Sequence, residues 1–213
     1  MHLRLPIHLS FPVRLWLTAV GLALCAAAAA QQAHGDLEAQ SRALQRASSA
    51  VVGVRTQAVD DARSNGTLGR ERLGSGVVVD DKGLVLTIGY LILEAEQVQL
   101  VTDDDRVIPG RVVGYDVATG FGLVQALAPM RIEPVPLGQS AQVREDEPLM
   151  IASGGEIGAV SVARLVSRRP FAGYWEYHIE GALFTSPPRG DHSGAGLFNG
   201  RGELLGVGSL IVN

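Results

Sequence analysis

The sequence predicts an all-β chain of antiparallel hairpins closing into barrels or a sandwich, preceded by one short N-terminal helix. Three observations carry this expectation. Helical periodicity ends near Ser48, and short runs rich in Val, Ile and Leu then follow one another at close intervals. Turn-forming clusters separate those runs: Asp80-Asp81-Lys82-Gly83, Asp103-Asp104-Asp105 and Asn199-Gly200-Arg201-Gly202. Of 213 residues, 46% are hydrophobic, 19% are charged and 26 are glycine, a balance that excludes a disordered polymer, a coiled coil and a collagen. The formal net charge of −4 gives no general attraction for nucleic acid or an anionic membrane.

In chain order, Arg4 and Arg14 come before the apolar run Leu15–Cys25, which passes into Ala26–Ala30 and then polar Gln31 and Gln32. This is the order of a secretory signal peptide, with cleavage expected after Ala30. The competing reading is an uncleaved anchor, but the 16 residues Leu15–Ala30 span only about 24 Å against a hydrocarbon core of roughly 30 Å. Cys25 reads as an apolar leader residue rather than a lipidation site, because the residue before it, Leu24, is large. A processed chain then holds no cysteine, which excludes a disulfide framework, a thiolate metal site and a cysteine nucleophile.

Leu37 and Leu44, seven apart, with Ala39, Ala43 and Ala47 between and beside them, place the short helix at Asp36–Ser48. Strands are expected at Val51–Val54, Gly76–Val79, Leu84–Ile88, Gln97–Thr102, Val107–Tyr115, Gly122–Ala126, Pro148–Ala152, Val160–Val166, Tyr174–Ile179 and Leu204–Val212. Polar Arg55–Arg72, which carries Asn65-Gly66, reads as an exposed loop. Leu127–Pro136 holds three prolines, which remove ladder donors, so it reads as the crossing between two β units. The organisation expected is therefore a leader over 1–30, a helical lead over 31–50, a first barrel over 51–126, a linker over 127–136 and a second barrel over 137–213.

Three blocks resemble the trypsin-like serine proteases of the HtrA/Deg group. Gly74–Ile92, GSGVVVDDKGLVLTIGYLI, resembles the strand, turn and strand leading to the family's catalytic histidine. Val112–Val124, VVGYDVATGFGLV, resembles the stretch holding the catalytic aspartate, and Gly190–Val207, GDHSGAGLFNGRGELLGV, resembles the nucleophile loop and the hairpin behind it. The resemblance spans about residues 47–212 and implies two six-stranded antiparallel barrels with a cleft between them. Ser193 holds the nucleophile position. Tyr90 stands where the family has its histidine, and Gly120 where it has its aspartate. The oxyanion hole would use the backbone N–H groups of Ser193 and of Asp191, where the family normally has glycine.

A serine hydroxyl needs an adjacent base to take its proton and a third group to orient that base. A phenol, with an ordinary pKa of about 10, is neutral at pH 7 and a poor proton acceptor. Gly120 can orient nothing. Losing the base alone costs on the order of 10⁶ in turnover, about 8 kcal/mol of barrier. The alternative bases are His192, beside the serine, and His178, which alternation in YWEYHIE places with Glu176 and Glu180 on the face opposite Trp175 and Tyr177. His34 lies before the helix, without an expected partner. No histidine pair has ligand spacing, so neither a metal nor a cofactor is expected.

The reading that results is an exported trypsin-like homologue, proteolytically inactive, that binds peptides or unfolded proteins in quality control of the bacterial envelope. The alternative is an active serine endopeptidase with a non-standard base acting on Ser193. A scaffold that ignores the cleft is the weakest alternative. The resemblance also implies homo-oligomer formation and a PDZ domain after the second barrel. The sequence ends at Asn213, where the family adds a final strand, so the chain reads as a piece of a longer one; an incomplete second barrel is the other reading.

Overall fold

The structure, a computed structural model, describes residues 13–172 and 178–211, with side chains from Gln31 onward except at residue 157. The expectations on Arg4, on Tyr174, Trp175, Glu176 and Tyr177, and on Val212 lie outside the described residues, as do those on the side chains of Arg14 and Cys25. The first element is a helix, α1 (Val13–Ser49), of 37 residues rather than the short helix expected. Alanine, glutamine, leucine, glutamate and arginine, all strong helix formers, dominate its second half and carry it through Gly35. His34 and Glu38 pair across one turn of its exposed surface at 3.0 Å. Among the described residues no helix is long and apolar enough to cross a membrane. The chain up to Ser41 forms one unit and Arg42–Asn213 a second.

The second unit opens with β1 (Val51–Ala58), the short helix α2 (Asn65–Leu68), β2 (Glu71–Val78), β3 (Leu84–Ile88), the one-turn helix α3 (Gly89–Ile92), β4 (Ala95–Val101), β5 (Val107–Tyr115) and β6 (Phe121–Ala126). These six strands close into an antiparallel barrel in the order β1-β2-β3-β6-β5-β4. Val52, Val54, Val77, Val85, Leu100 and Val124 fill it, all at most 1% exposed. At the β2–β3 turn the Asp80 carboxylate accepts the N–H groups of Lys82 and Leu84, as an aspartate at the start of a tight turn does.

The expected exposed loop over 55–72 is corrected by this barrel. β1 runs on to Ala58 and β2 begins at Glu71, and Thr56, Ala62, Ser64 and Arg72 are all buried. Burial of Ser64 and Arg72 is possible because their side chains find partners, as described below, while Thr56 Oγ1 and Asn65 Oδ1 are buried without one.

Residues 127–136 contain no strand and lead to β7 (Pro148–Ala152), β8 (Val160–Ala172), β9 (His178–Ser186), β10 (Gly196–Phe198) and β11 (Leu204–Val207). Among the described residues they form a five-stranded sheet in the order β11-β10-β7-β8-β9, a half-barrel, in keeping with the expectation of an incomplete second barrel. β9 covers the described end of the expected Tyr174–Ile179 strand and runs on to Ser186, held on β8 with Phe171 packed edge-on to Phe184 and Arg169 over the Phe184 ring. β10 was not expected: three residues are too short for an alternation signal, yet Phe198 is fully buried and joins the barrel core.

Candidate active site

β2 and β3 carry the chain into α3, and Arg72 fixes where that turn of helix sits. Its Nη1 donates to the carbonyls of Tyr90 (3.0 Å) and Leu93 (2.6 Å), its Nε to Gly69 O (3.0 Å) and its Nη2 to Ser64 Oγ (2.7 Å). Ser64 Oγ donates to Glu94 Oε2 (2.5 Å), and that carboxylate also accepts the backbone N–H groups of Arg63 and Ser64. The side-chain and backbone bonds from Ser64 hold the Glu94 carboxyl below its ordinary range, while burial lowers the Arg72 guanidinium and Glu94 opposes that. A cation at 5% exposure is tolerated because its donors are matched.

Ser193 sits on the turn between β9 and β10. Its carbonyl accepts Ser75 N–H (2.8 Å) from β2, while Ser75 O accepts the Thr87 hydroxyl (2.7 Å) and Ser75 Oγ accepts Gly154 N–H (3.0 Å). On the other side Gly194 N–H donates to Gly208 O (2.8 Å) and Gly208 N–H to Ala195 O (2.7 Å). Gly194 has φ +74, and a Cβ there would lie 1.9 Å from Ser75 O, so this position admits no side chain.

The Tyr90 phenol oxygen lies 2.8 Å from Ser193 Oγ and 2.8 Å from the carbonyl of Ser209. A carbonyl only accepts, so the single phenol proton goes to Ser209 O and Ser193 donates its own proton to the phenol oxygen. The direction of that bond matches the one a base would receive. The chemistry does not, because a neutral phenol oxygen holds a hydrogen bond without taking the proton.

At the third position Gly120 has φ +78; its N–H donates to Asp116 O (2.8 Å) and its carbonyl accepts Gly89 N–H (2.7 Å). The nearby Asp116 carboxylate is occupied by the Thr119 hydroxyl (2.6 Å) and Ala118 N–H (3.0 Å), which hold it below its ordinary range. The Tyr115 ring packs against Gly89, where a Cβ would fall 2.0 Å from ring carbon Cε2.

Asp191 is tied away from Ser193. Arg189 grips its carboxylate through Nε (2.8 Å) and Nη2 (2.6 Å), and Ser153 Oγ donates to Oδ2. These bonds, Arg189 first, outweigh partial burial and pull the carboxyl down to about 2. The His192 ring nitrogen Nδ1 is 3.0 Å from Arg189 O, and His178 is an exposed residue at the start of β9 whose N–H donates to Ala118 O (3.2 Å). The structure thus brings Tyr90 to Ser193 and brings neither His192 nor His178 to it. Among the described residues no group of His, Cys, Asp and Glu has the geometry to hold a metal ion.

Arg72, Ser64, Glu94, Ser153 and Ser209 escaped the sequence reading. Only Arg72 had a legible signal: extending the alternation of Gly76 and Gly74 back by two places puts it on the inner face of β2.

The family profile described as "Trypsin-like peptidase domain" matches residues 74–207, more than half of the chain. The chain belongs to the trypsin-like peptidases. Among curated relatives, the trypsin-like chain is 28% identical over 146 residues to the periplasmic pH-dependent serine endoprotease DegQ of Escherichia coli, covering 67% of this chain and 32% of DegQ. It is 27% identical over 170 residues to the serine endoprotease DegS of Salmonella typhimurium, covering 79% of this chain and 48% of DegS. The chain thus spans about a third to a half of the length of these relatives. Solved structures share its fold: the HtrA-type protease AlgW with a tripeptide superposes at TM-score 0.66 and 22% identity, over 79% of this chain and 53% of that one. AlgW with a decapeptide superposes at TM-score 0.66 and 18% identity, over 82% and 59%.

Proposed function

We propose that this trypsin-like chain is an exported HtrA/Deg homologue that does not cleave peptide bonds and instead holds peptides or unfolded protein in quality control of the bacterial envelope. One observation carries the reading: Ser193 Oγ meets the neutral phenol of Tyr90 at 2.8 Å, and the position opposite has only Gly120. Losing the base alone removes on the order of 10⁶ in turnover from a triad that acts as a unit. Holding an extended peptide by strand addition needs backbone donors and acceptors and no triad. The AlgW structures hold a tripeptide and a decapeptide, which supports peptide holding by a chain of this fold. Export rests on the basic, apolar and small-residue order of residues 1–30 and on the periplasmic relatives DegQ and DegP.

The test is labelling with a fluorophosphonate probe alongside casein turnover. The expected result is no labelling that depends on Ser193 and no casein fragments. Strong labelling that Ser193→Ala abolishes, with casein cleaved, would sink the reading in favour of an active endopeptidase.

A further inference from the structure

We propose that Tyr90 is a latch across the cleft: its phenol must leave the Ser209 carbonyl and Ser193 before an extended peptide can lie along Ser209–Ile211. The proposal rests on the peptide-holding reading above and names what regulates that site.

Tyr90 belongs to α3 of the barrel, and its phenol bonds to Ser193 and Ser209 reach loops of the second sheet. Among the described residues β11 stands at one end of the strand order, and extended backbone at the end of a sheet can pair with an added strand. The start of that edge is already taken by the chain itself: Leu204 N–H donates to Pro136 O and Gly138 N–H to Leu204 O, both at 2.8 Å. An incoming peptide therefore has to use the stretch beyond Val207, where Leu210 and Ile211 are 42% and 44% exposed. A peptide reaching from Ser209 to Ser193 would place its own polar atoms near the Ser209 carbonyl and the Ser193 hydroxyl. The phenol oxygen, 2.8 Å from each, occupies that space.

Arg72 keeps the latch in place from behind. By holding the Tyr90 and Leu93 carbonyls it fixes the backbone of α3, so release happens by rotation of the Tyr90 side chain or by withdrawal of the 208–211 segment. Two neutral hydrogen bonds, each about a two- to tenfold factor in an equilibrium, hold the closed form. The ligand class is an extended polypeptide with free backbone groups.

The test uses the full chain and two variants, Tyr90→Phe, which keeps the ring and loses both bonds, and Ser193→Ala, which loses one. The probe is fluorescein-labelled β-casein, read by anisotropy, with amide hydrogen exchange over residues 190–195 and 206–211 as an independent readout. The latch predicts faster exchange in both segments of Tyr90→Phe and casein binding on the order of tenfold tighter than wild type, with Ser193→Ala in between. Faster exchange with unchanged or weaker binding overturns the latch and leaves the peptide-holding reading standing, as does unchanged exchange with unchanged binding. Absence of casein binding in all three proteins overturns the peptide-holding reading, and the latch falls with it.

Discussion

The barrel of β1–β6 and the sheet of β7–β11 are built from the same antiparallel hairpins, yet among the described residues only the first closes. Closure abolishes edges and lets valines from every strand meet in one core. The open sheet keeps β9 and β11 as ends and gathers a smaller cluster of Val143, Leu149, Leu165, Leu197 and Leu205. Its site loop leans on the barrel: Ser193 O is held by Ser75, Phe198 is buried in the barrel core, and Tyr90 reaches over to Ser193 and Ser209. The candidate site is thus carried by the half with the smaller core and shaped by the closed barrel.

The largest expected effect breaks that dependence at its tightest point. Gly194→Ala forces a side chain into φ +74 and into Ser75 O, and is expected to lower unfolding stability by about 4 kcal/mol or more in a urea titration. Next comes the barrel side of the junction. Arg72→Met leaves the Tyr90 and Leu93 carbonyls without their donor and Glu94 without its nearby cation; a loss of about 3 kcal/mol is expected, and a neutral result would show that α3 needs no clamp.

A smaller effect belongs to the sheet side. The folded Asp191 carboxyl is depressed to about 2, so the stability it contributes is fully present above its unfolded value near 3.8 and is lost as pH falls through about 2. Asp191→Asn is expected to destabilise by about 1–2 kcal/mol at neutral pH, with the gap to wild type flat above pH about 4 and closing below it. A gap that widened in acid would reverse the assignment. The smallest effect sharpens the contrast itself. Leu100→Ala in the closed barrel is expected to cost about 1 kcal/mol more than Leu165→Ala in the open sheet, because a closed wall relaxes less around a cavity.

Much of the first barrel was legible along the chain. β3, β5 and, in the second half, β7 have the bounds their apolar patterns suggested, since a Val- and Leu-rich run between turn residues settles its own backbone conformation. β10 was invisible because a three-residue strand has no period to read, and the 55–72 loop misled because its polar residues looked solvated. Arg72 is the sharpest case: its charge argues for exposure, and the carbonyls of Gly69, Tyr90 and Leu93 together with Ser64 Oγ converge on it and make burial possible.

The sequence by itself determined the inventory at the candidate site: a serine at 193, a phenol at 90, and no side chain at 120. Those identities decide what proton chemistry is available wherever the residues end up. Tertiary structure alone decided that the phenol oxygen lies within hydrogen-bond distance of both Ser193 and Ser209 and that Asp191 turns to Arg189 and Ser153. Local pattern governs backbone conformation and the face a side chain takes. A meeting between residues 103 positions apart depends on how the whole sheet closes, and no short window of sequence carries that information.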